Sequence, residues 1–281
     1  MLFEQGGAIA PREASINNWS AIAYNQVPDA VNEIHGDKMA KQYGFKGGLV
    51  PGATVCAYLT HPAVESYGLD YLNNGHSQVR LRSPLYDGSP FEVRIQRRTS
   101  SAYASFLYPV GEESVAKAEI KISKTPEPAP VYRGDELGDV NATQLVASRE
   151  NMEQLQQDGC KAFIDHWTLD HQMANYLRDV SSMAKPFAVD GYANPGFIVG
   201  MTNWIMASNV YMNPWILVEA GCQNYAAIPL GSKIIGEMSV VELFERKGHE
   251  FVDADINLFN ADDHRCFSAV RLRAIYRVRG A

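Results

Sequence analysis

Cysteine is scarce in this 281-residue chain: four residues, at positions 56, 160, 222 and 266, with no CxxC pair. That spacing excludes a zinc-ribbon type of metal site and a disulfide-stapled scaffold, and it fits a reduced compartment. No leader-type segment stands out at the N-terminus, so a cytoplasmic location is expected. Nor does any apolar run reach the roughly 18 residues that a membrane-spanning helix requires, so no membrane partner is expected. Positive charge is also short. Lys and Arg number 25 against 32 Asp and Glu, for a net charge of −7, which argues against general nucleic-acid affinity. With 46% hydrophobic and 20% charged residues, the composition is that of an ordinary globular protein. The length suits two domains, or one domain made by duplication.

The chain divides at Thr125-Pro126-Glu127-Pro128-Ala129-Pro130, which reads as an extended linker. Ahead of it come a strand-like run (Ile16–Tyr24), an apolar segment of helical period (Ala53–Tyr67) and four further strand-like runs. These runs are Gln78–Arg82, Phe91–Arg97, Tyr103–Val110 and Val115–Ile122. The second half repeats the order. Phe163–Leu169 is strand-like, Phe197–Val210 is helical, and Trp215–Ala227, Lys233–Phe244, Glu250–Phe259 and Cys266–Val278 are strand-like. Trp19 and Trp167 precede their Pro-Gly pairs by 32 and 28 residues, and Pro84 and Pro229 follow them by 33 and 34. A duplication predicts an N-terminal unit over 1–125, a linker over 126–158 with a surface helix at Glu150–Gln157, and a C-terminal unit over 159–281. A single long apolar helix among antiparallel strands is an α+β pattern, and the helix must lie across its sheet to bury both.

Chemistry is concentrated in Asn32-Glu33-Ile34-His35-Gly36-Asp37. A glycine-rich run, Gly44 to Gly52, leads from it into the first apolar helix. His35 precedes Pro51-Gly52 by sixteen residues. This order brings an imidazole near a helix N-terminus, whose free backbone N–H groups stabilise developing negative charge. Asn32 has an alternative role in an Asx-turn, and Asp37 is read as an N-cap for Lys38–Tyr43. Gly47-Gly48 serves backbone bends, and His61 is read as structural. Tyr86, in the turn Ser83–Gly88, is a candidate for lining the site. Arg80 and Arg82, on one face of a strand, are either solvated or grip the phosphates of a carrier. Asn203 and Asn209 on the second apolar helix need partners, in a pocket or between the halves.

Asn32, His35, the downstream Ala40, Gly44-Phe45 and Pro51-Gly52 together resemble the MaoC-like hydratases and dehydratases, and with the duplication the chain is similar to a double hot-dog. The resemblance implies (R)-specific hydration or dehydration of an enoyl or 3-hydroxyacyl thioester of CoA or acyl carrier protein, with no metal and no cofactor. It assigns an acid–base pair to Asp29 and His35, support to Asn32, and the oxyanion N–H to Gly52. Asp29 stands one residue further from His35 than the family's pattern places its aspartate, where this chain has Ala30. A lyase, isomerase or cyclase of a specialised metabolite needs only a base and an oxyanion donor, and a non-catalytic binding subunit is the third reading. Nothing in the carboxylate pattern favours a thioesterase.

The second half has no histidine between Val180 and Asn194. Asp165 and His171 share the Asp29–His35 spacing but lie too far ahead of Pro195-Gly196, a coincidence of spacing. One active site per chain is therefore expected. A homodimer is compatible with this plan, although two tandem units already form a pseudo-dimer.

Overall fold

The computed structural model describes residues 16–99, 101–123, 125–139 and 143–279. The N-terminal stretch in which no leader was read lies mostly outside them. Among these residues no helix is long and apolar enough to cross a membrane. In the first unit, β1 (Trp19–Ile22), α1 (Asp37–Gln42), α2 (Gly52–Tyr67) and α3 (Leu69–Asn74) precede β2 (Gly75–Leu81), β3 (Pro90–Arg97), β4 (Ala102–Pro109) and β5 (Ala116–Ile122). The connector carries α4 (Arg149–Asp158). The second unit runs β6 (Phe163–His166), α5 (Lys185–Ala188), α6 (Pro195–Asn209), β7 (Ile216–Asn224), β8 (Lys233–Arg246), β9 (His249–Asn260) and β10 (Cys266–Arg277).

All ten strands form one antiparallel sheet in the order β1-β3-β4-β5-β2-β7-β10-β9-β8-β6. The order reads the same from either end once β1 to β5 are matched to β6 to β10. The seam is the β2–β7 pair, with Val79 opposite Ala220. Two duplicated units thus share a continuous ladder, and no apolar edge is left exposed where they meet.

Burial explains the helices. Twelve consecutive residues of α2, Ala53 to Val64, are buried. A helix that is apolar all round has to be enclosed. α2 and α6 pack against each other through small residues. A β-carbon at Gly196 would lie 3.4 Å from both the Ala53 carbonyl and the Ala57 β-carbon. His61 on α2 is 3% exposed, stacks on Trp19 at 3.9 Å, and lies 2.8 Å from the Tyr176 hydroxyl through Nδ1. Burial pushes its pKa down to about 4, so it sits in the core as a neutral ring.

The connector is tied down. Residues 125–139 contain no helix or strand, but the carboxylate of Glu237 in β8, fully buried, accepts the backbone N–H groups of Arg133, Gly134 and Asp135 at 2.7 to 3.1 Å. Three successive amides around one carboxylate form an anion-binding concavity of the kind turns make. Asn209, a candidate for the pocket or for the contact between the halves, holds Lys161 instead. It accepts the Lys161 N–H at 2.7 Å and donates to the Lys161 carbonyl at 2.9 Å.

Candidate active site

A cavity of about 340 Å³ opens at the N-terminus of α2, on the seam between the units. That size is in the range of small-molecule sites. The first unit supplies His35, Asn32, Gly52 and apolar side chains such as Leu49, Leu81 and Leu85, and the second supplies Asn203, Trp215, Leu217, Phe251 and Ile275. The walls are mostly apolar, and among the described residues none of those lining the cavity is a carboxylate.

The loop carrying His35 is built by close backbone approach. Residues 33–35 form one 3-10 turn, with the His35 N–H bonded to the Asn32 carbonyl at 3.2 Å. The Leu49 N–H donates to the Ile34 carbonyl at 3.2 Å, so segments 34–36 and 47–49 lie face to face. Gly48 permits that approach, because a β-carbon there would sit 2.1 Å from the His35 carbonyl oxygen. The role of Gly48 is therefore steric clearance rather than an unusual backbone bend. Asp37 is the first residue of α1, not its cap, and its carboxylate takes the Gly48 N–H at 2.8 Å. From below, the buried Asn25 donates its amide to the His35 carbonyl at 2.9 Å. Asn25 is itself held by Asp87, which pairs with Arg178 of the second unit. Gly48→Ala is expected to force the two segments apart, costing about 1–3 kcal/mol, as overpacking does. A urea melt checks it, and an unchanged midpoint would contradict the steric role.

The imidazole has a defined tautomer. Nδ1 lies 2.8 Å from the Leu49 carbonyl, which can only accept, so Nδ1 carries the hydrogen and Nε2 presents a lone pair. Burial pushes the His35 pKa below its ordinary value, and the hydrogen bond to Leu49 offsets this only in part. At neutral pH His35 is an uncharged base. Asn32 lies 3.5 Å from Nε2 through its amide nitrogen. Its amide is also paired with the backbone of Trp215, donating to the carbonyl at 3.0 Å and accepting the N–H at 3.2 Å. The Glu33 N–H reaches the Asn213 side chain at 3.1 Å. The His35 loop is thus docked on residues 213–215 of the other unit.

Gly52 opens α2 on the cavity wall. Its first-turn N–H groups have no intrahelical acceptor, and the helix dipole adds about half a positive charge there. A β-carbon at Gly52 would stand 2.6 Å from Leu81 Cδ1 and 3.2 Å from Leu217, so packing also requires the glycine.

The remaining sequence candidates separate. Arg82 lines the rim, exposed and without an ion-pair partner among the described residues, and Asn203 lines the wall. Asp29 is exposed and is not a lining residue, because the turn after Val27 carries it to the surface. Arg80 lies outside the cavity and pairs with Glu219 across the seam at 3.5 Å. Tyr86 packs behind the loop, beside Ile34 and Leu49, and its hydroxyl meets the Lys46 N–H at 3.3 Å. Trp215, Phe251 and Ile275 escaped sequence reading because an apolar strand residue facing a cavity looks like one facing core.

The corresponding helix end of the second unit is closed. Asn194 is fully buried, caps α6 by accepting the Phe197 N–H at 3.1 Å, and donates to the Met173 and Ala174 carbonyls at 2.9 Å each. Asp165 and His171 do meet, at 3.6 Å, with the ring packed among Trp167, Phe197 and Trp204. Among the described residues no group of three or more His, Cys, Asp or Glu side chains is arranged to hold a metal ion.

No protein-family model matches this chain, and no curated protein matches it in sequence. Solved structures do match. A conserved hypothetical protein of Mycobacterium tuberculosis with a double hotdog fold aligns over 90% of this chain and 89% of its own, at 10% identity and a TM-score of 0.52. A variant of the PpsC dehydratase domain from Mycobacterium tuberculosis aligns over 92% of both chains at 11% identity, TM-score 0.52. A Thermobifida fusca protein provisionally assigned as a thioesterase II aligns over 92% of both at 14% identity, TM-score 0.53. The chain is an α+β double hot-dog. Structures of that fold include dehydratases and thioesterases alike, so fold does not choose the reaction.

Proposed function

We propose that this double hot-dog protein is an acid–base enzyme that moves the proton alpha to the carbonyl of an apolar acyl substrate, with His35 as its base. The reading is supported above all by the bond from His35 Nδ1 to the Leu49 carbonyl, which directs an unprotonated Nε2 at a cavity bounded by a helix N-terminus. The substrate carbonyl accepts from the Gly52 N–H, and Nε2 takes the alpha proton while negative charge moves onto that oxygen. In dehydration of a 3-hydroxyacyl group, the Cβ–O bond then breaks as the Cα=Cβ bond forms. The departing hydroxide takes the proton from the imidazolium, which regenerates neutral His35 and releases water. Hydration is the reverse. Arg82 at the rim suits the phosphates of a CoA or carrier-protein thioester.

A second reading follows from the lack of a carboxylate among the lining residues. With no second acid–base group among the described lining residues, enolisation followed by double-bond migration or ring closure asks less of the site than handling a free water. Two assays on the intact protein separate these readings: crotonyl-CoA hydration followed at the enoyl absorbance, and deuterium wash-in at the alpha carbon of 3-hydroxybutyryl-CoA. Hydration supports the hydro-lyase, and wash-in alone supports the isomerase or cyclase. Neither signal, across short, medium and long acyl chains, would remove both.

A further inference from the structure

Asn203 is the one polar side chain that α6 contributes to the cavity wall, and the second unit's other lining residues, among them Trp215, Leu217, Phe251 and Ile275, are apolar. A side-chain amide offers two N–H donors and a carbonyl with two lone pairs. The single hydrogen-bond contact of the Asn203 side chain among the described residues is with the Thr202 hydroxyl, 3.4 Å from Oδ1. The one hydrogen of that hydroxyl already goes to the Val199 carbonyl at 2.6 Å. The other cavity amide, Asn32, is taken up by the backbone of Trp215 and by His35 Nε2. Asn203 is thus half-buried, faces the cavity and keeps its hydrogen-bonding capacity free. A plain alkyl chain filling this space would strip water from the amide and give nothing back, whereas an oxygen on the chain would pair with it. Sites built to bond an oxygen reject the analogue without it far more strongly than apolar pockets reject a missing methylene.

We infer that the substrate carries a keto or hydroxyl oxygen on its acyl chain, away from the reacting carbons, and that Asn203 is the residue that recognises it. The inference rests on the cavity being the acyl site of the reading above, and makes the substrate an oxygenated acyl compound rather than a simple fatty acyl chain. The test uses saturated acyl-pantetheines, which have no 3-hydroxyl to eliminate: a plain alkanoyl parent and a set of equal length with one oxo group walked along the chain. Affinities are measured by calorimetry for the wild type, Asn203→Leu, Asn203→Ala and His35→Ala. One oxo position is expected to bind roughly ten- to hundredfold more tightly than the parent in the wild type. That preference should persist in His35→Ala and collapse in both Asn203 variants. Equal affinities across the wild-type series would overturn the inference, as would a preference that survives Asn203→Leu and Asn203→Ala. If the Asn203 variants fail to fold, the wild-type series still decides it. Absence of binding by every member would overturn it along with the acyl-site reading, while lost turnover with the oxo preference intact would overturn the proposed reaction only.

Discussion

Replacing His35 with glutamine is expected to reduce proton transfer at the alpha carbon by roughly 10² to 10⁴-fold, the usual contribution of one general base. Glutamine is the informative choice. Its amide reaches the place of Nε2 without a basic lone pair, so the site loses its base while the side chain keeps its length. His35→Ala removes both and should be at least as damaging. The loss belongs in kcat, because the ring acts on the proton in flight, and KM should move less. The pH profile gives an independent check. Only neutral His35 accepts a proton, so kcat/KM must rise with pH and level off once the ring is deprotonated. Burial pushes the ring below its ordinary pKa, so the inflection is expected below about 6.5, with the plateau already reached at neutral pH. A midpoint above that value, or a glutamine variant with wild-type kcat, would take His35 out of the reaction.

Glu237→Ala is expected to be the most destabilising single change, at about 3–5 kcal/mol. The side chain is fully buried, and its two oxygens satisfy three backbone N–H groups of residues 133–135, with the Arg133 guanidinium 3.9 Å away. Alanine would strand all three donors and release the connector from β8. Glu237→Gln keeps one oxygen for the Gly134 and Asp135 amides but turns an NH₂ toward the Arg133 N–H, 2.9 Å from the present carboxylate oxygen. Opposed donors at that distance should cost about 1–3 kcal/mol. Urea unfolding of both variants gives the comparison. If alanine stays within about 0.5 kcal/mol of the wild type, the size of a neutral surface change, the clasp holds nothing together.

Much of the architecture was legible because periodicity reports burial. Alternation in Phe91–Arg97 matches β3, where Phe91 and Val93 turn inward, and the long apolar segments became α2 and α6, buried over most of their length. The repeated order of elements anticipated the matching strand orders on either side of the β2–β7 seam. Short helices were harder. α3 and α5, of six and four residues, lack the length for a periodic signal. The proline-rich connector reads as an extended linker and no more, because nothing local reveals that a glutamate a hundred residues away will collect its amides.

The candidate site divides along the same line. The grouping of Asn32, His35 and Gly52 is a matter of short spacings on one loop and one helix start, and local spacing is what a chain's letters dictate. Which carboxylate would join them is not local. Asp29 sits close to His35 in sequence, but the turn after Val27 carries it to the surface. The far wall of the cavity comes from β7, β9, β10 and α6, brought to His35 through Trp215 and the sheet seam. Amino-acid order by itself settles elements and their amphipathic faces, since these depend on neighbours three or four positions away. Only the folded chain decides which oxygen or lone pair faces which space, because such contacts join residues up to 183 positions apart.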